Sequence, residues 1–210
     1  NALRQEVGRD FEVSIDFEGG RVQRFSDVLG EYPSPRQMAA ERSPQEVEQL
    51  AHEIGMSLKA HGINVDFAPV LDVDGNGLEV VGDRSFSTDP VQAGEYGAAF
   101  ARGLDSAGVK AVFKHFPGHG RASGDTHLAE AVTPPLEELE RHEFIPFKTA
   151  LPQAPNTALM MGHLAVPGLG DGQTPASILP EAYGLARETL QYDGPIYTDD
   201  IGGMKAISDS

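Results

Sequence analysis

The sequence predicts an α/β protein that forms part of a (β/α)8, or TIM, barrel, and two observations lead to this fold class. First, short apolar runs typical of buried strands alternate with segments of helical periodicity, which indicates parallel strands joined by right-handed crossovers. Second, polar side chains follow the ends of successive predicted strands: Asp16, Asp66 or Asp72, Lys114 with His115, His163, and Asp199. A doubly wound sheet also fits the alternation, but it concentrates its site at one switch point. A barrel uses the carboxyl ends of several strands, so the second observation favours the barrel.

The predicted strands begin near residues 13, 63, 109, 158 and 195. A helix is predicted from Ser43, because a capping serine is followed by proline and then by Glu46. Further helical patterns cover about 90–107, 136–150 and 181–190. Five strands are fewer than a barrel needs, so residues 1–210 are expected to form a single, incomplete barrel domain that is a fragment of a longer protein.

Composition excludes several classes of function. A net charge of −16 argues against nucleic acid or anionic lipid as a partner, since both require stripes of Lys and Arg. The absence of cysteine excludes disulfides, thiolate catalysis and cysteine-based zinc sites. No run of apolar residues is long enough to predict a membrane-spanning segment.

The stretch from Lys114 to His127, KHFPGHGRASGDTH, holds the densest group of side chains capable of catalysis or binding. Proline and three glycines disfavour both helix and strand, so a mobile loop is predicted to follow the strand that ends at Phe113. Asp125 and His127 stand two residues apart in this loop. This spacing suits a carboxylate that orients an imidazole for proton transfer.

The same stretch resembles a signature of family 3 glycoside hydrolases of the bacterial β-N-acetylglucosaminidase type, in which Lys-His-(Phe or Ser)-Pro-Gly-His-Gly precedes Asp-(Ser or Thr)-His by a four-residue spacer. The resemblance implies that the predicted strands are the third to the seventh of the family's barrel. It further implies that Thr198-Asp199, followed by Met204-Lys205-Ala206, supplies the catalytic nucleophile. Asp199 is therefore the expected nucleophile, and Asp200 remains the alternative because the intervening segment is one residue longer than in some relatives.

What the resemblance implies for the other residues is a retaining mechanism, with His127 as acid and base and Asp125 as the carboxylate that holds it. Sugar binding is implied for Asp16, in the stretch DFEGGRVQR, and for Arg84, Lys114, His115 and His163. Phe17 stands where the family more often has Gln or Glu. Buried ion pairs are a common fate of such charge clusters, so structural ion pairing is expected for Glu18, Arg21 and Arg24.

The implied activity is that of an exo-β-N-acetylglucosaminidase without a cofactor, which removes terminal N-acetylglucosamine from peptidoglycan fragments, muropeptides or chitooligosaccharides. Water and phosphate both remain possible acceptors. One alternative is a metal-dependent hydrolase in which His115, His119 and His127 bind zinc. Another is a sugar-binding module without turnover. The spacing of acidic residues from Asp72 to Asp83 also imitates a calcium loop, but no helix precedes it, and no metal site is predicted.

Overall fold

The computed structural model describes residues 2–75, 77, 79–123 and 131–202, with side chains from Gln5 onward. The strands in these residues are β1 Ser14–Ile15, β2 Phe17–Gly19, β3 Val22–Gln23, β4 Val65–Asp66, β5 Lys110–Phe116, β6 Ala131–Val132, β7 Ala158–Met161, β8 Leu164–Ala165 and β9 Ile196–Thr198. The α-helices are α1 Ala2–Val7, α2 Ser26–Leu29, α3 Pro35–Glu41, α4 Pro44–Ala60, α5 Pro90–Ser106, α6 Leu136–Arg141, α7 Phe144–Ala150 and α8 Pro180–Thr189. Single 3₁₀ turns cover Gly82–Arg84, Leu151–Gln153 and Ala176–Ile178.

Five of these strands form one parallel sheet in the spatial order β1-β4-β5-β7-β9. Spatial order follows chain order, and helices α4, α5, α7 and α8 lie in the crossovers between successive strands. The sheet curls into a half-barrel with helices around it, so the fold class expected from the sequence is confirmed.

Both faces of the sheet carry apolar side chains, as β5 illustrates. Ala111 and Phe113 belong to the large core between the sheet and the helices, whereas Val112 belongs to a smaller cluster on the opposite face. Successive side chains of a strand point to opposite faces, so one continuous apolar run fills both cores. That smaller inner cluster consists of Val65, Val112, Ala158 and Met160, with Phe67 and Tyr197 packed against it.

The helix predicted from Ser43 is confirmed as α4. The Ser43 side chain accepts a hydrogen bond from the Glu46 amide, and the Glu46 carboxylate accepts one from the Ser43 amide. This reciprocal pair satisfies two N–H groups that the helix itself cannot. Among the described residues, no helix has the length and apolar character needed to cross a bilayer.

Two element boundaries differ from the sequence prediction. The single helix expected over 136–150 is wrong, because α6 ends at Arg141 and α7 begins at Phe144. Pro146 has no N–H to donate to the carbonyl of residue 142, so it is tolerated only in the first turn of a new helix. Strand β5 also continues to Phe116, three residues past its expected end, so Lys114 and His115 lie on the strand and not in the loop.

Candidate active site

Alternation at the end of β1 separates polar from apolar side chains. Asp16 Oδ1 lies 3.1 Å and Glu18 Oε1 lies 2.6 Å from Nζ of Lys114. Phe17, between them, points the other way, is fully buried and meets the Tyr32 ring edge to face at 5.8 Å. The phenylalanine that departs from the family pattern is therefore a core residue, and its two neighbours reach the same lysine from one face.

Glu18 joins two buried cations. The Arg84 guanidinium donates two hydrogen bonds of 2.8 Å to the Glu18 carboxylate, which also contacts Lys114. Burial alone would raise the pKa of Glu18, but attraction to Lys114 and the hydrogen bonds from Arg84 outweigh burial and lower the pKa to about 2. Burial likewise opposes the charge of Lys114, and Glu18 and Asp16 overcome this and raise its pKa. The expected ion pairing of Glu18 is thus present, and through it the predicted sugar-binding residues Asp16, Arg84 and Lys114 form one network.

A second buried acid lies beside this network. Asp66, at the end of β4, accepts a hydrogen bond of 3.0 Å from the Phe17 amide through Oδ1, and its Oδ2 has no partner among the described residues. Burial is the main cause that raises the pKa of Asp66 well above its ordinary value, and Glu18 and Asp16 add to the effect. The surroundings of Asp66 therefore disfavour its ionised form relative to that of a solvent-exposed aspartate.

His115 is held between two aspartates. Its Nδ1 lies 2.6 Å from Oδ2 of Asp72, and its Nε2 lies 4.0 Å from Oδ2 of Asp199. Oδ1 of Asp72 accepts hydrogen bonds from the amides of His115 at 3.3 Å and His119 at 2.7 Å. Burial opposes the charge of Asp72, but attraction to and hydrogen bonds from these histidines lower its pKa to about 2. The sequence places Asp72 among the possible strand-end acids but indicates no partner for it.

The first part of the predicted loop is packed against the barrel. Arg121 donates hydrogen bonds of 2.6 and 2.8 Å to the buried carboxylate of Glu143. A Cβ on Gly118 would lie 2.5 Å from Cβ of Glu143, and one on Gly120 would lie 1.8 Å from the Val73 carbonyl oxygen. These glycines therefore permit close approach of the backbone, and residues 117–121, at the start of the predicted loop, are mostly buried against the barrel.

The residues that flank 124–130, the segment with the predicted acid–base pair, are paired with each other and with β8. Ser123 pairs with Val132, whose carbonyl accepts a hydrogen bond of 2.7 Å from the Ser123 amide. Ala131 pairs with Leu164, the residue that follows His163. Asp125 and His127 themselves lie outside the described residues, so their predicted roles stay predictions.

Asp199 and Asp200 occupy different surroundings at the end of β9. Asp199 has a side chain 18% exposed, faces His115 and accepts a hydrogen bond of 2.9 Å from the Asp200 amide. Burial alone would raise its pKa, but attraction to His115, that hydrogen bond and attraction to Lys114 and His163 hold the pKa below its usual range. Asp200 is exposed, and its carboxylate accepts from the amide of Gly202 at 2.9 Å.

His163 is buried behind Asp200. Its Nδ1 lies 2.5 Å from the Ser177 hydroxyl, and its Nε2 lies 3.0 Å from the Asp200 carbonyl oxygen. Both ring nitrogens are thus engaged by protein atoms. These contacts give His163 a role in holding the turn after β9, beside the sugar-binding role that the resemblance implies.

The acidic residues that imitate a calcium loop each have other partners. Asp72 binds the two histidines, Asp74 lies 3.2 Å from Arg36, and Asp83 lies 3.0 Å from Arg21. No group of three or more His, Asp or Glu side chains suited to a metal ion occurs in the described part of the chain.

The fold and these contacts define a half-barrel with a polar site at the carboxyl ends of its parallel strands, where acids, histidines and buried cations converge. The chain belongs to glycosyl hydrolase family 3: residues 3–210 match the family's N terminal domain.

Proteins similar to this chain include a beta-hexosaminidase and a beta-N-acetylglucosaminidase. The chain is 47% identical over 204 residues to the beta-hexosaminidase LpqI of Mycobacterium tuberculosis, covering 94% of this chain and 52% of that protein. A structure of M. tuberculosis LpqI matches with a TM-score of 0.91 at 44% identity, over 100% of this chain and 64% of that one. A family 3 beta-N-acetylglucosaminidase from Paenibacillus sp. matches with a TM-score of 0.91 at 35% identity, over 99% of this chain and 40% of that one. The chain thus spans about half the length of the curated relative LpqI.

Proposed function

We propose that the protein is a retaining exo-β-N-acetylglucosaminidase that releases terminal N-acetylglucosamine from peptidoglycan fragments or chitooligosaccharides. The observation that carries the proposal is the position of Asp199 at the end of β9, facing His115, with a pKa held below its usual range. Family membership and the names of the relatives support the substrate class.

Asp199 has the properties required of a glycosidase nucleophile. It is shielded but still 18% exposed, and its pKa below the usual range keeps it ionised near neutral pH. A carboxylate in this state attacks the anomeric carbon and forms a covalent glycosyl-enzyme. Asp200 is less suited to this step, because its carboxylate faces solvent and accepts from the Gly202 amide.

The acid and base of the proposed mechanism are His127 and Asp125. His127 protonates the departing glycosidic oxygen and then removes a proton from the water that releases the sugar. Asp125 stabilises the protonated ring and fixes its orientation. The pairing of Ser123 with Val132 and of Ala131 with Leu164 supports this assignment, because it brings both ends of the intervening segment near Leu164, the residue that follows His163.

Sugar recognition is proposed for Asp16, Arg84, Lys114 and His115, with His163 behind them. Asp16 is the most accessible member of the charged network, with a side chain 39% exposed. Its carboxylate can accept hydrogen bonds from two sugar hydroxyls while Lys114 holds it in place. Lys114 and Arg84 are fixed by Glu18, so the site is ordered before the sugar arrives.

An aryl β-N-acetylglucosaminide tests the proposal directly. Hydrolysis should persist in the presence of a metal chelator, fall at least about 1,000-fold in Asp199→Asn, and remain within about 3-fold in the neighbouring control Asp200→Asn. Loss of activity on chelation would favour a metal-dependent hydrolase. Binding of N-acetylglucosamine without any hydrolysis would identify a sugar-binding module instead.

The role of His127 is tested by its dependence on the leaving group. His127→Ala should slow substrates with poor leaving groups far more than activated aryl substrates, because only the former require protonation of the departing oxygen. Equal losses on both substrates would contradict the assignment of His127 as the acid.

A further inference from the structure

Asp72 is a buried acid that the proposed mechanism does not use. Asp72 is 1% exposed, and the partners of both its carboxylate oxygens belong to His115 and His119. Oδ2 lies 2.6 Å from Nδ1 of His115, while Oδ1 accepts from the amides of His115 and His119. An ionised carboxylate only accepts hydrogen bonds, so it requires a proton on the nitrogen that faces it.

The opposite side of the His115 ring faces the proposed nucleophile. Nε2 of His115 lies 4.0 Å from Oδ2 of Asp199, and the ring of His119 lies edge-on with its centroid 6.0 Å away. With the proton of the neutral ring on Nδ1, Nε2 is left as the acceptor that meets a sugar hydroxyl, on the side of the ring that faces Asp199. The tautomer of His115 therefore determines whether Nε2 is a hydrogen-bond donor or an acceptor toward the substrate.

We propose that Asp72 is a positioning residue, which fixes the Nδ1-protonated tautomer of His115 and thereby presents Nε2 to Asp199 and to the substrate. The same carboxylate binds the His119 amide, so the ring and the first turn of the following segment are held by one group. The kinetic part of this inference rests on the proposed function, whereas the tautomer itself does not.

The substitution Asp72→Asn tests this inference, because the surrounding amides determine the orientation of the asparagine side chain. The amides of His115 and His119 both donate toward Oδ1, so the asparagine oxygen has to occupy that position. Its NH₂ group then faces Nδ1 of His115, which can accept this hydrogen bond only when unprotonated. The neutral ring is thus forced to carry its proton on Nε2.

The tautomer is measured by nitrogen-15 NMR of the histidine side chains, with His115 assigned by the loss of its signals in His115→Gln. At a pH where the ring is neutral, the wild-type protein should show a protonated Nδ1 and an unprotonated Nε2, and Asp72→Asn should reverse the two. Asp74→Asn is the matched control, since Asp74 lies two residues away and binds Arg36 and not a histidine. It should leave the His115 signals unchanged.

Kinetics give the second readout. Loss of the partner that orients a metal-binding histidine typically lowers metal affinity or activity about 10- to 100-fold. Asp72 orients His115 in the same way, so Asp72→Asn should lower kcat/KM on the aryl β-N-acetylglucosaminide by about 10-fold or more, with Asp74→Asn near wild type. A wild-type neutral ring protonated on Nε2 would overturn the inference, as would an Asp72→Asn protein with unchanged tautomer or unchanged kcat/KM. The wild-type spectrum decides the matter even if Asp72→Asn fails to fold. A protein with the expected tautomer but without glycosidase activity would refute the proposed function alone.

Discussion

Replacing Glu18 by glutamine removes the carboxylate that two buried cations share. Lys114 and Arg84 have side chains only 3% and 12% exposed, and the Glu18 carboxylate between them is fully buried. Without that charge, both cations lose their closest counterion while they remain shielded from water. The protein should therefore be strongly destabilised, although the shape of the side chain hardly changes.

The size of the effect follows from the pKa of Glu18. Its value of about 2, against an ordinary 4.5, corresponds to about 3 kcal/mol of preference for the ionised form. Removal of one partner from a buried ion pair costs about 3–5 kcal/mol in general, which agrees. Since a domain is stable by only about 5–15 kcal/mol, Glu18→Gln should lower the free energy of unfolding by about 3 kcal/mol at neutral pH.

The assay is urea-induced unfolding followed by circular dichroism at several pH values. Glu18 has a lowered pKa in the folded state, so its contribution is present above pH 4.5 and disappears as the pH falls toward 2. The difference between wild type and Glu18→Gln should shrink over the same range. The control is Glu48→Gln, which breaks a pair with Arg102 whose side chains are 37% and 35% exposed and should cost less than about 1 kcal/mol.

A double substitution shows whether Glu18→Gln destabilises the protein through an unpaired buried charge or through a lost packing contact. Glu18→Gln combined with Lys114→Met should be more stable than Glu18→Gln alone, because the second change removes one of the unpaired cations. If Glu18→Gln is no more destabilising than Glu48→Gln, or if its effect does not depend on pH, the account of this network is wrong.

Two further substitutions test the acid beside the network and the glycine-rich turn. The pKa of Asp66 lies well above its ordinary 3.8 in the folded state, so folding binds a proton and stability should fall as the pH rises above about 4. Asp66→Asn removes this dependence, so its stability relative to wild type should increase from pH 4.5 to pH 7.5 in urea titrations; a constant or decreasing difference would contradict the prediction. Gly120→Ala places a Cβ 1.8 Å from the Val73 carbonyl oxygen, a backbone atom that cannot move aside cheaply, and should destabilise the protein by about 1–3 kcal/mol. The control is Gly184→Ala, in helix α8 with nothing near the added Cβ, which should stabilise by up to about 1 kcal/mol; similar unfolding free energies for both variants would refute the steric argument.

The features that sequence predicted well are those encoded by neighbouring residues. The start of α4 at Ser43 depends on a side chain three residues away, and the strands around 63, 109, 158 and 195 are short apolar runs. Alternation of such runs with helical segments predicts parallel strands, and the polar residues at successive strand ends then favour the barrel over a doubly wound sheet. The carboxyl-end positions of Asp16, Lys114, His163 and Asp199 followed from the same pattern.

The features that sequence left open depend on partners far along the chain. Glu18 binds Arg84 across 66 residues, and Asp72 binds His115 across 43. No local pattern pairs these groups, so the acid that orders the cations and the acid that holds the histidine emerge only from the fold. Gly120 shows the same limitation, since its need for close approach comes from Val73, 47 positions earlier in the sequence.

Mass spectrometry of a trapped intermediate tests the proposed role of Asp199 as the nucleophile most directly. The protein is treated with a fluorosugar that forms a slowly hydrolysed glycosyl-enzyme, and the labelled peptide is then mapped. The account predicts one added glycosyl mass per protein, located on Asp199 and absent from Asp199→Asn. An adduct on Asp200, or steady turnover of the aryl substrate without any covalent adduct, would contradict it.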